Sequence, residues 1–501
     1  MTYHMYLNGR QTRAAALVCA VVALSACDQL LEVDLPDAVT ADALDDPSTA
    51  ALQVNSVMAS AECGYSSFAI DAAGMEDNFQ MVSGVAGSYS QYGDTPGGGA
   101  CDGGVYTQSW VNALLTARGQ GYTAYAAISG WTVPNKERLL ATLGLYNAVT
   151  LGVFGEHFCE FAIDAGPLMT PDEVLAVAED WIDTVFARAP ATFAVTTQQG
   201  TVTSSIHQTA YALRARLRYA SGDLAGAAAD AALVTNGHMA YILREDGEDR
   251  RNMVASHQGN IGGVQAAGFL QGPVRVKTAS NSYGISELGT NPATAAAWPD
   301  PVPFTGYISL GIQTADGRAV SDAGNALTTA DAGTTADTRV VHVLGNTAGG
   351  NDNVVRKYTA LSSDIPLVNW REMRLIQAEN AGAGAAGVAF INQIRTADAL
   401  PLVQGAYATL VEGNAARYDD LIIEERRRAL WLEARFWSTK IQKNDKLWFP
   451  RRVGQWINAN AAYQLDGGVR LLMPQAEYQI NPNLSLALRG TGCAANEAPI
   501  Y

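Results

Sequence analysis

Charge is scarce in this 501-residue chain, and positive charge is scarcest: 33 lysines and arginines stand against 49 aspartates and glutamates, for a formal charge of −16. A nucleic-acid partner would have to be held by a local basic patch against that repelling field, so the composition speaks against DNA or RNA. Only 6 histidines occur, and His157, His207, His238, His257 and His342 are scattered without ligand spacing. With no C-x-x-C pair either, no metal site is expected. G-x-S-x-G and H-E-x-x-H are missing. "GTGCA" and "GGGACDGG" lack the strand, helix and lysine context of a phosphate-binding loop. None of the familiar catalytic or cofactor-binding motifs is therefore present. Paired carboxylates at glycosidase spacing are the one enzymatic arrangement left open.

Beyond the N-terminus no segment reads as membrane-spanning. There, Arg10 and Arg13 precede the apolar run "AAALVCAVVAL" and then "LSAC", the layout of an export signal. Leu24-Ser25-Ala26-Cys27 looks like a bacterial lipobox, which would leave Cys27 as a lipid-bearing first residue and anchor the chain to a membrane. The run is shorter than the ~20 residues a membrane-spanning helix needs. Of the 6 cysteines, Cys19 would leave with the signal. Cys63, Cys101, Cys159 and Cys493 remain for up to two disulfides, in any of three pairings.

What is abundant is apolar residue, 48% of the chain, enough for a sizeable core. After an acidic tether, "STAALQVNSVMASAECGYSSFAI" carries Ala51, Val54, Val57 and Met58 at helical spacing, with Ser48 or Thr49 to cap it. Helical patterns follow around 110 to 129, 136 to 155 and 171 to 189, the last opened by "TPDE". "HQTAYALRARLRYASGDLAGAAADAALVTNG", residues 207 to 237, resembles a tetratricopeptide-type helical hairpin. Residues 83 to 109 and about 245 to 350 are rich in glycine and read as long loops, with "GYISLGI" and "TRVVHVL" as short strands. Helices return in "IPLVNWREMRLIQAENA", "GVAFINQIRTADA", "EERRRALWLEARFWSTKI" and "LLMPQAEYQINPNL". In the third of these, Ile423, Leu430, Ala434, Trp437 and Ile441 form the stripe of one amphipathic helix. Glu424 and Glu425 precede Arg428 by four and three residues, so they can pair with the arginines along the helix, and Arg427 lies on the apolar stripe.

These motifs are similar to those of the SusD/RagB family. "DIPLVNWREMRLIQAENA", "FINQIRTADALP", "IIEERRRALWLEARFWSTKI" and "LLMPQAEYQINPNL" occur in that family's order, with "RLLATLGLYNAVTLGVFGEHF" upstream and the lipobox before them all. The chain departs from the pattern at "EARFW", where Ala434 stands at the family's glycine, and at Phe158, where its proline is missing. The resemblance implies a mostly α fold, with tetratricopeptide-like helical hairpins in a superhelical scaffold and long loop-rich insertions. The expected organisation is a signal peptide over 1–26, an acidic tether over 27–47 and one SusD-like domain over 48–501. Within the domain, 48–240 would be the N-terminal helical part, 241–350 the loop-rich insertion and 351–501 the C-terminal helical part.

The resemblance further implies an outer-membrane, surface-exposed lipoprotein that binds an oligosaccharide or peptide and partners a TonB-dependent, SusC-like transporter, a binder and not an enzyme, with no catalytic residue and no cofactor. A helical scaffold binding only protein or peptide, and a carboxylate-based glycoside hydrolase, are the alternatives. Sugar faces stack on exposed rings, and amides and carboxylates beside them bond hydroxyls. The candidate ligand residues are Tyr89, Tyr92, Tyr106, Tyr283, Trp298 and Tyr307, with Asn78, Asp94 and Asn281 as polar neighbours. Arg427, Arg435 and Trp437 are expected to be structural.

Overall fold

The computed structural model describes residues 44–76, 79–81, 109–247, 250–259, 264–266, 339, 342–347, 350–355, 357–400, 402–444, 469–494 and 499–500. The chain divides into Met1–Thr49 and Ala50–Tyr501. In the first unit Pro47–Thr49 form a 3-10 turn, in which the Ser48 N–H donates to Asp46 Oδ1 at 2.9 Å.

Helices α1 (Ala50–Met75), α2 (Ser109–Gly130), α3 (Lys136–His157) and α4 (Pro171–Arg188) each pack on the next. Helix α3 is apolar and long enough to cross a membrane by composition, but it is the core of this unit, buried continuously from Leu140 to His157. Gly144 lets α4 come close, since a Cβ there would lie 3.1 Å from the Trp181 carbonyl oxygen. Helix α4 opens on the capping box legible in "TPDE": Thr170 Oγ1 accepts from the Glu173 N–H, and Glu173 Oε2 from the Thr170 N–H.

The hairpin of residues 207 to 237 is α5 (Ile206–Ala220) and α6 (Leu224–Ala231). Ser205 caps the first helix and Asp223 the second. Gly222 turns the chain at φ 87°, a conformation that suits glycine. Alanines of α6 allow close packing on α8 (Trp370–Ala381), which also carries α9 (Ala385–Ala397). The result is a succession of helices packed in pairs.

A four-stranded antiparallel sheet interrupts them in the order β2 (Val195–Thr197), β3 (Gly200–Thr203), β4 (Met239–Ile242) and β8 (Ile365–Asn369). The helix expected over "IPLVNWREMRLIQAENA" therefore begins only at Trp370. "IPLVN" is buried at all five positions, holds β-branched residues and a proline, and pairs as a strand with β4. Asn369 then caps α8, accepting from the Arg371 N–H at 3.0 Å. The region read as a long loop holds α7 (Met253–Gly259), β5 (Val264–Ala266) and the hairpin of β6 (His342–Thr347) and β7 (Gly350–Val355). Strand β5 pairs antiparallel with β1 (Phe79–Met81). Residues 306–312, expected as a strand, lie outside the described residues.

The single amphipathic helix expected over 424 to 441 is two helices. After the short α10 (Ala406–Val411), α11 (Ala415–Ala429) ends before a turn, and α12 (Phe436–Gln442) follows. Leu432 at φ 59° and Ala434 at φ 57° break the helix in the left-handed region. Nor is there a solvent face: every residue from Leu421 to Ile441 is buried, because the charged side chains have buried partners. Left-handed backbone costs a non-glycine residue about 1–2 kcal/mol, partly offset by the greater unfolded-state entropy of glycine. Ala434→Gly is expected to raise stability by about 0.5–1 kcal/mol, read as a higher urea midpoint at unchanged slope. The C-terminal segment adds β9 (Arg470–Leu471), α13 (Gln475–Ile480) and β10 (Pro499–Ile500), the two strands pairing in parallel.

Candidate ligand-binding site

Asn78, Tyr89, Tyr92, Asp94, Tyr106, Asn281, Tyr283, Trp298 and Tyr307 lie outside the described residues, as do Cys27 and Cys101. The structure fixes where their segments leave and return. Met81 stands opposite Val264 and Phe79 opposite Ala266, so β1 and β5, from which 82–108 and 267–338 depart, are neighbouring strands. Neighbouring strands lie about 4.8 Å apart. The two aromatic segments are thus rooted on one short ladder, and the first returns into α2, which packs on α1.

The arginine-bearing stretch holds the described ends of these segments. Glu76, at the end of α1, accepts through Oε1 from the N–H groups of Phe436 and Trp437, at 2.8 and 3.1 Å, and so caps the start of α12. Burial pushes its carboxyl up to about 7 against the pull of those two N–H groups. Arg339, after the second segment, donates to Glu425 Oε2 at 2.7 Å, while Arg395 takes Oε1 of the same carboxylate at 2.7 Å. Beyond β7, Lys357 bonds Glu433 at 2.6 Å and the Trp431 carbonyl, and the Tyr358 hydroxyl donates to the Leu432 carbonyl at 3.0 Å. Glu76 was not legible in the sequence, because its partners lie 360 and 361 residues away along the chain.

The arginines themselves face inward. Glu424 accepts from Arg427 at 3.0 Å and Arg428 at 2.9 Å, one turn along the helix. Glu425 is instead shared by Arg395 and Arg339, so the spacing located only one of the two acids' partners. Arg426 reaches Glu379 on α8 at 3.0 Å and lies 4.2 Å from the Tyr219 ring centroid. Arg435 grips Glu156 with both terminal nitrogens, at 2.5 and 2.9 Å, and donates from Nε to Glu372 at 3.0 Å. Glu372 also takes Arg216 at 2.7 Å. Burial raises the Glu372 carboxyl, but Arg216 and Arg435 outweigh it and hold the group at about 2. Trp437 donates from Nε1 to the Val469 carbonyl and lies tilted at 51° against His157, at 4.7 Å between ring centroids. Burial holds the His157 imidazole down at about 4. Buried on all sides, this stretch offers no arginine face to an outside phosphate.

Cys159 is disulfide-bonded to Cys493, which selects one of the three pairings open to the sequence, and Cys63 is also disulfide-bonded. Every buried carboxylate among the described residues has a cationic, hydroxyl or backbone donor. Glu160, for example, accepts from the Tyr478 hydroxyl and from the N–H groups of Gly490 and Gly492.

No protein-family model and no curated protein sequence matches the chain. Solved structures do. A SusD-like protein from Bacteroides fragilis superposes with a TM-score of 0.55 at 12% identity, over 89% of this chain and 98% of its own. A SusD superfamily protein from Bacteroides vulgatus gives 0.54 at 13% identity, over 89% and 99%. A SusD-like carbohydrate binding protein from Bacteroides fragilis gives 0.52 at 14% identity, over 88% and 99%. At such identities the likeness is one of architecture: the chain has the mostly α-helical, tetratricopeptide-like fold of the SusD-like proteins.

Proposed function

We propose that this chain is a cell-surface lipoprotein that binds an oligomeric nutrient, a glycan, and passes it to a TonB-dependent, SusC-like outer-membrane transporter. In this reading residues 1–26 are removed, Cys27 carries the lipid, 27–47 are the tether and 48–501 hold the ligand. The observation that carries it is the SusD-like fold over 89% of the chain, in company with a solved neighbour described as carbohydrate binding. The rooting of two tyrosine-bearing segments on adjacent strands supports a binding face there. Among the described residues, the engagement of the buried carboxylates in ion pairs and hydrogen bonds supports binding over carboxylate-based hydrolysis, which needs one acid and one base or nucleophile available to substrate.

The test is a glycan array and a peptide pool offered to the purified full-length protein in detergent. Tyr89→Ala/Tyr92→Ala is expected to weaken the glycan that binds by about tenfold, since each stacked ring contributes about 0.5–1.5 kcal/mol, with an unchanged melting temperature. Equal affinity in this variant would remove the first segment from the site. Capture of peptides alone would replace the glycan reading with peptide uptake.

A further inference from the structure

We propose a second carbohydrate contact surface on the helical scaffold itself, formed by Tyr122, Tyr125 and Trp181 with Arg188 and Glu137 at its rim. It rests on the glycan-binding reading above and adds to it a place that the loop segments do not supply. Helices α2 and α4 both pack on α3, and their aromatic residues meet. Tyr122 and Tyr125 stand three residues apart, on one side of α2. The Trp181 ring lies 5.1 Å from that of Tyr125 and 6.5 Å from that of Tyr122, nearly perpendicular to both. Such edge-to-face contacts fix rings in place. Gly144 on α3 lets α4, which carries Trp181, approach closely.

The rim is polar and partly satisfied. Arg188 donates from Nε to the Tyr125 hydroxyl at 3.0 Å and from Nη1 to Glu137 at 3.3 Å, and the Glu137 side chain remains 54% exposed. The exposed Tyr122 ring, with a guanidinium and a half-exposed carboxylate at the neighbouring Tyr125, matches a pyranose, which presents C–H groups on its face and hydroxyls at its edge. A protein partner fits less well. Tyr122 is 55% exposed and is the one aromatic among the exposed large hydrophobic side chains of the described residues. The others, Leu44, Leu52, Leu233, Ile480, Leu486 and Leu488, are aliphatic, and none is on α2, α3 or α4. The patch therefore lacks the apolar anchors that a protein interface of about 800 Å² per partner buries at its centre. A second sugar contact would tether long chains by raising the effective concentration of neighbouring units at the main site.

The experiment is affinity electrophoresis of the full-length protein in detergent, in gels containing soluble β-glucan, α-glucan, xylan or mannan. Tyr122→Ala is expected to weaken retention by the polymer that binds the native chain by about three- to tenfold. Tyr122→Phe is expected to keep it, and both should melt at the native temperature because the side chain is exposed. Native-like retention of Tyr122→Ala would overturn this surface while leaving the glycan reading in place. Failure of the native protein to be retained in any gel would overturn both.

Discussion

Arg435→Ala is expected to destabilise the protein by about 3–5 kcal/mol, the cost of removing one partner from a buried ion pair. The side chain is 4% exposed and is the middle of the relay Glu156–Arg435–Glu372–Arg216, which ties α3, the turn before α12, α8 and α5 together. Its loss strips the bidentate partner from Glu156 and leaves that carboxylate buried, while Glu372 keeps Arg216. Arg435→Lys is expected to recover only part, because an ammonium cannot fork between two carboxylates. Urea unfolding followed by circular dichroism measures both. A loss under about 1 kcal/mol would mean that water reaches Glu156.

The relay also sets a pH dependence. Glu372 is held at about 2 in the folded protein against an ordinary 4.5, so the unfolded chain binds more protons between those values. Its contribution is present above 4.5 and is lost as pH falls towards 2. His157, held at about 4 against 6.5, acts in the same direction between those limits. Glu76, raised to about 7, acts oppositely: the folded state keeps its proton longer, so stability falls as pH rises from 4.5 to 7.

Replacing the disulfide, Cys159→Ser/Cys493→Ser, is expected to cost about 2–5 kcal/mol, because cross-linking residues far apart in sequence restricts the unfolded chain most. The separation here is 334 residues. The fold should survive, since Glu160 holds Gly490 and Gly492 independently of the sulfurs and β10 pairs with β9. The measurement is a denaturation curve with and without reductant. The remaining response of the double variant to reductant reports the disulfide of Cys63. A native midpoint in the double variant would assign the docking of the tail to Glu160 and the β9–β10 pairing rather than to the disulfide.

Much of the fold was legible because it rests on local chemistry. The capping box at Thr170 and Glu173 and the tight turn at Gly222 between α5 and α6 involve residues within one or two turns of each other, and spacing alone locates such contacts. "IPLVN" was misread as helix because a short apolar run fits a buried strand and a buried helix equally, and only its pairing with β4 decides. The stretch 424–441 was misread as one amphipathic helix for a different reason. Its apolar stripe is real, but the opposite side is buried as well, through arginines whose carboxylates come from α3 and α8 and lie up to 279 residues away.

By itself the sequence determined the acidic balance, the helical repeats, the even set of cysteines and the order of motifs that resembles SusD/RagB proteins. Each of these is a property of composition or of near neighbours. Only the tertiary structure decided that Cys159 meets Cys493, that Glu425 serves Arg339 and Arg395, and that Tyr122, Tyr125 and Trp181 come together. Apart from Tyr122 and Tyr125, three residues apart on one helix, those contacts join residues whose separation in the chain carries no periodic signal. They arise because burying a charge requires a partner from whichever element packs beside it, and because a ring left at the surface finds neighbours only after helices have docked.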